Sequence, residues 1–449
     1  MNDTIAAIAT APGTAGIGII RISGPEAETI LKNIFRPAGE NPEGKLESRR
    51  MYYGRLADGT ETLDECMAVL MRAPRSYTRE DVAEIQLHGG NFIVNRGLQL
   101  CLKEGARLAE AGEFTRRAFL NGRIDLSQAE AVMDLISARG EQARKAAVRQ
   151  LNGCAGSFIR PIADKLYDLQ AGLAACIDYP EEISEEEGAG ALKEGLNDLI
   201  GRLEEAMDEH ASRLIHEGLH AAIIGRPNVG KSSLLNALLD EERAIVTEIP
   251  GTTRDTVQGE MSINGIRVFL TDTAGIRETT DPVERIGVQR SEDAWKEADI
   301  SFLVTDASEQ LREEDIRLLK QFDGEGAVIL NKADLPAKTT AEEIHRYCPG
   351  KECLTVSAKD REQLKPLKDW LRRAATVSDR LAITQPRQLE ALRRGTEHLK
   401  DALRTIEHFT PDMAATDLQA AQAALSEITG DRADEKLLDR VFSRFCVGK

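Results

Sequence analysis

The sequence predicts a multidomain chain: an α+β N-terminal domain over residues 1–118, an all-α domain in two pieces, 119–217 and 376–449, and an α/β domain over 218–375 inserted between them. Three observations predict this. Short apolar runs punctuated by glycine open the chain. Segments rich in Ala, Leu, Glu and Arg with a helical period flank the centre. In the centre strands and helices alternate, the pattern of a parallel sheet with crossover helices.

The N-terminal runs are IAAIA, GIGIIRISG, CMAVLM and VAEIQLHGG, followed by a helix from Asn91 to Lys103. Long helices are expected from Leu126 to about His216, broken by an exposed acidic loop at Tyr179–Pro180–Glu181–Glu182 and Glu185–Glu187. Around His220 the period changes: HAAIIG is a short buried strand running into a glycine-rich turn. From Pro386 to Phe445 the chain is helical again, but about 60 residues make a small independent core. Both helical pieces are therefore assigned to one domain, an insertion that close domain termini make feasible.

Composition agrees. At about 150 residues per domain the length corresponds to three domains. Apolar residues make up 41% and charged residues 30%, enough for packed cores. No apolar run approaches the roughly 20 residues that span a bilayer, so no membrane insertion is expected. The start, MNDTIAAIATAPG, lacks a basic n-region and does not read as a secretory signal. The seven cysteines form no C-x-x-C pair, which argues for reduced thiols in a cytosol and against a disulfide framework or zinc site. A net charge of -17 repels bulk nucleic acid, so any such contact must be local. The arginine pairs, Arg116–Arg117 among them, read as solvated helix surface.

Gly225–Ser232, GRPNVGKS, matches G-x-x-x-x-G-K-S between an expected strand and an expected helix. Backbone N–H groups around Asn228, Val229 and Gly230 can face phosphate oxygens, with the helix start, Ser232 and Ser233 behind them. Lys231 should reach the β- and γ-phosphates, and Ser232 should ligate Mg²⁺. Asp272-Thr273-Ala274-Gly275 follows the strand RVFLT; Asp272 suits the Mg²⁺ shell and the Gly275 N–H the γ-phosphate. Asn331-Lys332-Ala333-Asp334 follows AVILN, and Asp334 can accept from both the N1–H and the exocyclic amine of guanine. Adenine offers no such donor pair and would leave the carboxylate unpaired. Ser357-Ala358-Lys359 follows ECLTV and should support the base. Four motifs in order at strand ends define an α/β P-loop GTPase domain of Ras-like type. Ile276 departs from the Ras-like pattern, because an apolar side chain cannot orient water where many such proteins carry glutamine.

With GRPNVGKSS, GTTRD, DTAGIR, NKAD and the terminal FCVGK, the whole chain closely resembles the MnmE (TrmE) family of tRNA-modification GTPases. The resemblance implies a homodimer built through N-terminal folate-binding-like domains. It implies a partner, MnmG, that uses FAD and NADH. Together the two install an aminomethyl or carboxymethylaminomethyl group at C5 of the wobble uridine of certain tRNAs. A tetrahydrofolate derivative, 5-formyl or methylene, supplies the one-carbon unit.

The family's K⁺ site maps to Asn228, Thr247 and Ile249, with Thr252 nearby, and its Mg²⁺-ligating switch threonine to Thr253. A fixed cation neutralises charge developing between the β- and γ-phosphates, as an arginine finger does. The water-positioning acid maps to Glu284, which without the resemblance reads as surface charge. The folate residues map to Arg21, Glu84, Arg123 and Lys449; cations suit the glutamate tail and an acid suits the pterin. Arg123 replaces an expected lysine, keeping charge but not geometry. Cys446 sits where a prenylated cysteine would, but C-V-G-K matches that motif poorly. The resemblance gives it one-carbon chemistry beside the folate; the alternative is a buried structural thiol. Two rival functions remain: a ribosome-assembly GTPase without transfer chemistry, and a dimerisation switch whose chemistry lies wholly in the partner.

Overall fold

The computed structural model describes residues 3–38, 46–178, 185–241, 256–273, 295–377, 383–408 and 411–448. The chain divides into two compact units, one of residues 1–136, 149–207 and 390–449, the other of 137–148 and 208–389.

The first unit contains a seven-stranded sheet: β1 (Ile5–Ile8), β2 (Ile17–Ser23), β3 (Phe35–Pro37), β4 (Met51–Asp58), β5 (Glu61–Met71), β6 (Val82–His88) and β7 (Arg107–Leu108), in the order β3-β4-β5-β6-β2-β1-β7. Pairing is antiparallel except between β1 and β7. Alternation along β2 sorts its faces. Ile20 and Ile22 enter a core with Leu31 and Leu100 of the helices Ala27–Ile34 and Asn91–Lys103. Arg21 points the other way, directly opposite Ala7 of β1 and Glu84 of β6.

Helices Leu126–Ser137, Cys154–Asp178, Glu185–Ala206, Pro386–His408, Ala415–Thr429 and Glu435–Phe442 complete this unit. Leu192, Leu196, Leu199 and Leu203 form a buried stripe at helical spacing on one of them. Lys400 pairs with Glu204 at 2.5 Å, joining the C-terminal helical piece to the earlier one. Two expectations are corrected. Glu185–Glu187 open a helix instead of lying in a loop, where acidic side chains in the first turn suit the helix dipole; Tyr179–Glu182 lie outside the described residues. Arg117 is 1% exposed instead of solvated: its helix, Glu113–Leu120, buries Phe114 and Ala118 and carries Arg117 in with them.

The second unit holds six strands: β8 (Leu219–Ile224), β9 (Thr256–Ile263), β10 (Ile266–Thr273), β11 (Ile300–Asp306), β12 (Gly326–Asn331) and β13 (Glu352–Thr355), in the order β13-β12-β11-β8-β10-β9. All pairs are parallel except β9–β10. All seven residues of β11 are buried, as a central parallel strand covered on both faces requires. Ser137–Val148, inside the helical stretch of the sequence, pack here, with Ala146 in the core beside Leu214 and Val268. Among the described residues no helix is long and apolar enough to cross a membrane.

Candidate functional site

The C-terminal ends of β8, β10, β11 and β12 deliver Gly225, Asp272, Asp306 and Asn331 to one edge of the sheet, where such folds bind ligands. Gly225–Gly230 turn from β8 into the helix Lys231–Glu241. Gly230 has φ +97°, and a Cβ there would lie 2.4 Å from Asn331 Nδ2, so only glycine fits.

Lys231 is 7% exposed and its Nζ donates to the carbonyls of Gly225 and Arg226 at 2.9 and 3.1 Å. Burial pushes this ammonium below its ordinary range, partly offset by the Asp272 charge. Ser232 Oγ donates to Asp272 Oδ2 at 2.5 Å. Asp272 Oδ1 is buried without a hydrogen-bond partner among the described residues. An orphaned carboxylate oxygen beside a serine hydroxyl and a lysine fits a Mg²⁺–phosphate group.

Asn331, 1% exposed, braces the loop: Nδ2 donates to Val229 O at 2.9 Å and Oδ1 accepts from the Ala358 N–H at 3.2 Å. Lys332 donates to Asn228 O at 3.0 Å and to Asp306 Oδ2 at 2.5 Å. Asp334 Oδ1 accepts from Ser357 Oγ at 2.7 Å, and Lys359 Nζ lies 3.5 Å from Oδ2. The Ser357 hydrogen bond holds the Asp334 carboxyl below its ordinary value. Asn228 is exposed in the loop, with φ +65°, and Ser233 is exposed on the helix that follows. Thr273 ends β10. Thr247, Ile249, Thr252, Thr253, Ala274, Gly275, Glu284 and Lys449 lie outside the described residues.

A second cluster lies on the face of the N-terminal sheet that packs Ile5, Ala7 and Phe114. Arg21 Nε pairs with Glu84 Oε1 at 2.8 Å, and Arg21 Nη1 donates to Gly448 O at 3.3 Å. The Arg123 guanidinium stands 4.7 Å from the Tyr77 ring centroid, and that of Arg21 lies 5.4 Å from the same ring. Two of the four expected folate residues, Arg21 and Arg123, thus converge on Tyr77, with Glu84 joined through Arg21; the Tyr77 hydroxyl shares a 2.9 Å hydrogen bond with Thr115. Sequence reasoning missed Tyr77, because a lone tyrosine in RSYTRED carries no pattern.

The tail passes beside this cluster. The Gly112 N–H donates to Cys446 O at 3.4 Å, and Val447 bridges Ala111. Gly448 has φ +96°, and a Cβ there would meet Ile8 O at 2.3 Å. Cys446 is exposed, which corrects the buried-thiol alternative: the adjacent Phe445 takes the buried position instead. Its residue borders a cavity of about 650 Å³ lined by Thr10, Gly13, Asn91, Val94 and Leu98.

The phosphate loop, the Ser232–Asp272 pair and the Asp334–Ser357 pair at the ends of one sheet define a P-loop GTPase. Family models agree: one for the MnmE helical domain matches residues 126–446, and one for the GTP-binding protein TrmE N-terminus matches residues 4–123. A curated tRNA modification GTPase MnmE of Bacillus velezensis is 44% identical, with all of both chains covered. Those of Symbiobacterium thermophilum and Bacillus subtilis are 45% and 43% identical, again over all of both chains. The chain belongs to the MnmE family.

Proposed function

We propose that this chain is a cytoplasmic, K⁺-dependent GTP hydrolase. In this reading it acts with an FAD- and NADH-using partner of the MnmG type and works as a homodimer through its N-terminal domain. The pair adds a carboxymethylaminomethyl or aminomethyl group at C5 of the wobble uridine of tRNA. The carrying observation is similarity along the full length of curated tRNA modification GTPases, 44–45% identical with all of both chains covered.

Lys231 and the loop N–H groups bind the phosphates, and Asp334 selects guanine over adenine. Ser232 and Thr253 would hold Mg²⁺ with Asp272 behind them; Asn228, Thr247, Ile249 and Thr252 would hold K⁺. When bound, these cations supply charge neutralisation at the phosphates. Glu284 orients the attacking water that Ile276 cannot. Arg21, Arg123 and Lys449 hold an anionic folate tail and Glu84 the pterin, while Cys446 takes part in the transfer. A tetrahydrofolate derivative supplies the one-carbon unit when bound. Self-association is supported by Tyr53 and Met67, paired across β4 and β5 with 55% and 40% exposure.

The test is mass analysis of wobble uridines in tRNA from cells lacking this chain. The C5 substituent should vanish and return with the restored gene; an unchanged nucleoside profile rejects the reading.

A further inference from the structure

We infer that the outward face of the helix Glu435–Phe442, with Lys436, Arg440 and the following Arg444, takes the phosphate backbone of tRNA and so seats the substrate beside the tail. The inference rests on the tRNA reading given above.

The helix has two sides of opposite character. Leu438, Val441 and Phe442 are buried and pack with Phe445, Phe119 and Leu126. At 3.6 residues per turn, positions 436 and 440 fall on the other side, and Lys436 and Arg440 are exposed there. Residues four apart on a helix are neighbours, so two like charges at this spacing repel and weaken the helix. Ser443 keeps helical dihedrals, which carries Arg444, also exposed, about one turn further on. Arg432, exposed in the turn before the helix, adds a fourth cation. From residue 436 to residue 444 the sequence offers a single acidic side chain, Asp439, and Arg116 Nη1 already holds it at 3.1 Å. Among the described residues the side chains of Lys436, Arg440 and Arg444 have no ion-pair or hydrogen-bond partner.

Surface arginines elsewhere in the same unit behave differently. Arg393 is held by Glu390 and Glu397, each at 2.8 Å, and Arg404 by Asp401 at 2.9 Å. A chain with 75 acidic and 58 basic residues supplies carboxylates for such pairs readily. Cations left without one along a single helix face make a local positive field in a protein of net charge -17. Such a field is what an acidic protein needs in order to hold a polyanion. A protein partner would call for an apolar centre to the contact, and no large apolar side chain is exposed between residues 432 and 444. Interfaces with nucleic acid are polar and positive. The forks of Arg440 and Arg444 can each grip a phosphate through two parallel hydrogen bonds. Phosphate contacts of this kind set register and leave base recognition to other groups. Two residues beyond Arg444 stands the exposed Cys446, whose proposed part in transfer requires the target base to be brought to it.

The test measures binding of tRNA, purified in bulk from cells lacking this chain, to the full chain across a KCl series. Lys436→Gln combined with Arg440→Gln should bind at least about tenfold more weakly near about 0.1 M KCl. Its plot of log affinity against log salt should flatten by about 1.5, as the loss of two phosphate contacts requires. Arg444→Gln should flatten the plot by about 0.8. Arg393→Gln combined with Arg404→Gln removes the same net charge from paired arginines and should bind as the wild type does. GTP hydrolysis without tRNA and the melting temperature should be unchanged throughout, because every substituted side chain is exposed and the nucleotide motifs belong to the other compact unit. Wild-type affinity and slope in the Lys436/Arg440 variant overturn the inference. So does an equal loss in the Arg393/Arg404 variant, which would mark net charge alone. A wild type that binds no tRNA even in dilute salt also overturns it and leaves this face to an acidic protein. These three outcomes leave the tRNA reading standing if the wobble substituent still depends on the gene. An unchanged nucleoside profile in cells lacking the chain rejects that reading, and the inference with it.

Discussion

At the residue scale, Asp334 has one oxygen occupied by the Ser357 hydroxyl and the other 3.5 Å from the Lys359 ammonium. Because the Ser357 hydrogen bond lowers its pKa, the carboxylate stays ionised at neutral pH and accepts without donating. Asp334→Asn replaces one acceptor with an amide that donates to the C2 oxygen of xanthine and confronts the guanine amine with a second donor. GTP binding should weaken roughly 10- to 100-fold, the loss expected of a charge-assisted pair, while xanthosine triphosphate binding improves. Parallel titrations with the two nucleotides measure this; an unchanged GTP affinity would show that Asp334 does not read the base. Motif residues such as Asn331, Lys332 and Asp334 were legible because their spacing along the chain carries their role. Asp306, Arg226 and Tyr77 were not. Asp306 meets Lys332 across 26 residues and Arg226 meets Asp315 across 89, so only the folded sheet brings them together.

At the scale of elements, the helix Glu113–Leu120 is fastened by Arg117 to the segment before β1 and to the loop before β6. Its Nη2 donates to Asp3 Oδ1 at 2.9 Å and Glu113 Oε1 at 3.0 Å, and its Nη1 pairs with Glu80 Oε2 at 3.2 Å. Arg107 adds a second cation on Glu113, at 2.6 Å. Burial raises the Glu113 pKa, but hydrogen bonds from Arg107, the Glu110 N–H and Arg117 outweigh it and leave the pKa lowered. Asp3 is lowered chiefly by its hydrogen bond to Arg107. Carboxylates lowered in the folded state contribute stability above their unfolded pKa values and lose it as pH falls through the lower, folded ones. Arg117→Met should therefore cost about 3–5 kcal/mol at pH 7, the range for breaking a buried pair, and the difference from wild type should shrink below about pH 4. Denaturant titrations across that range check it; a constant difference would mean that Arg117 acts through packing alone. The elements themselves were legible, since β6 alternates and Leu192–Leu203 keep a helical period. Burial of Arg117 was not, because an arginine pair on an amphipathic helix normally faces water.

At the scale of the whole molecule, a chain read as four consecutive regions folds as two compact units, each built from separated pieces. About 60 residues make a small independent core, which is the sequence reason for joining the C-terminal piece to the earlier helices. The placement of Ser137–Val148 was not legible, because Ala143, Ala146 and Ala147 are small enough to pack against either a helix or a sheet. The same discontinuity brings the tail back to the N-terminal sheet, where backbone groups hold it: Cys446 O accepts from Gly112, Gly448 O from Arg21, and Val447 bridges Ala111. None of these contacts uses the Cys446 thiol, which is exposed. Cys446→Ser should therefore leave the tail seated and the melting temperature unchanged. GTP hydrolysis should also persist, since the nucleotide motifs belong to the other compact unit. If the thiol takes part in transfer, wobble-uridine modification should fall about 100-fold or more, the scale of removing a nucleophile or proton-transfer group. Gly448→Ala provides the contrast: its Cβ would press on Ile8 O, so modification should fail there through displacement of the tail, with a lowered melting temperature. Full modification by Cys446→Ser beside a defective Gly448→Ala would show that the tail serves by its backbone and that the thiol carries no chemistry.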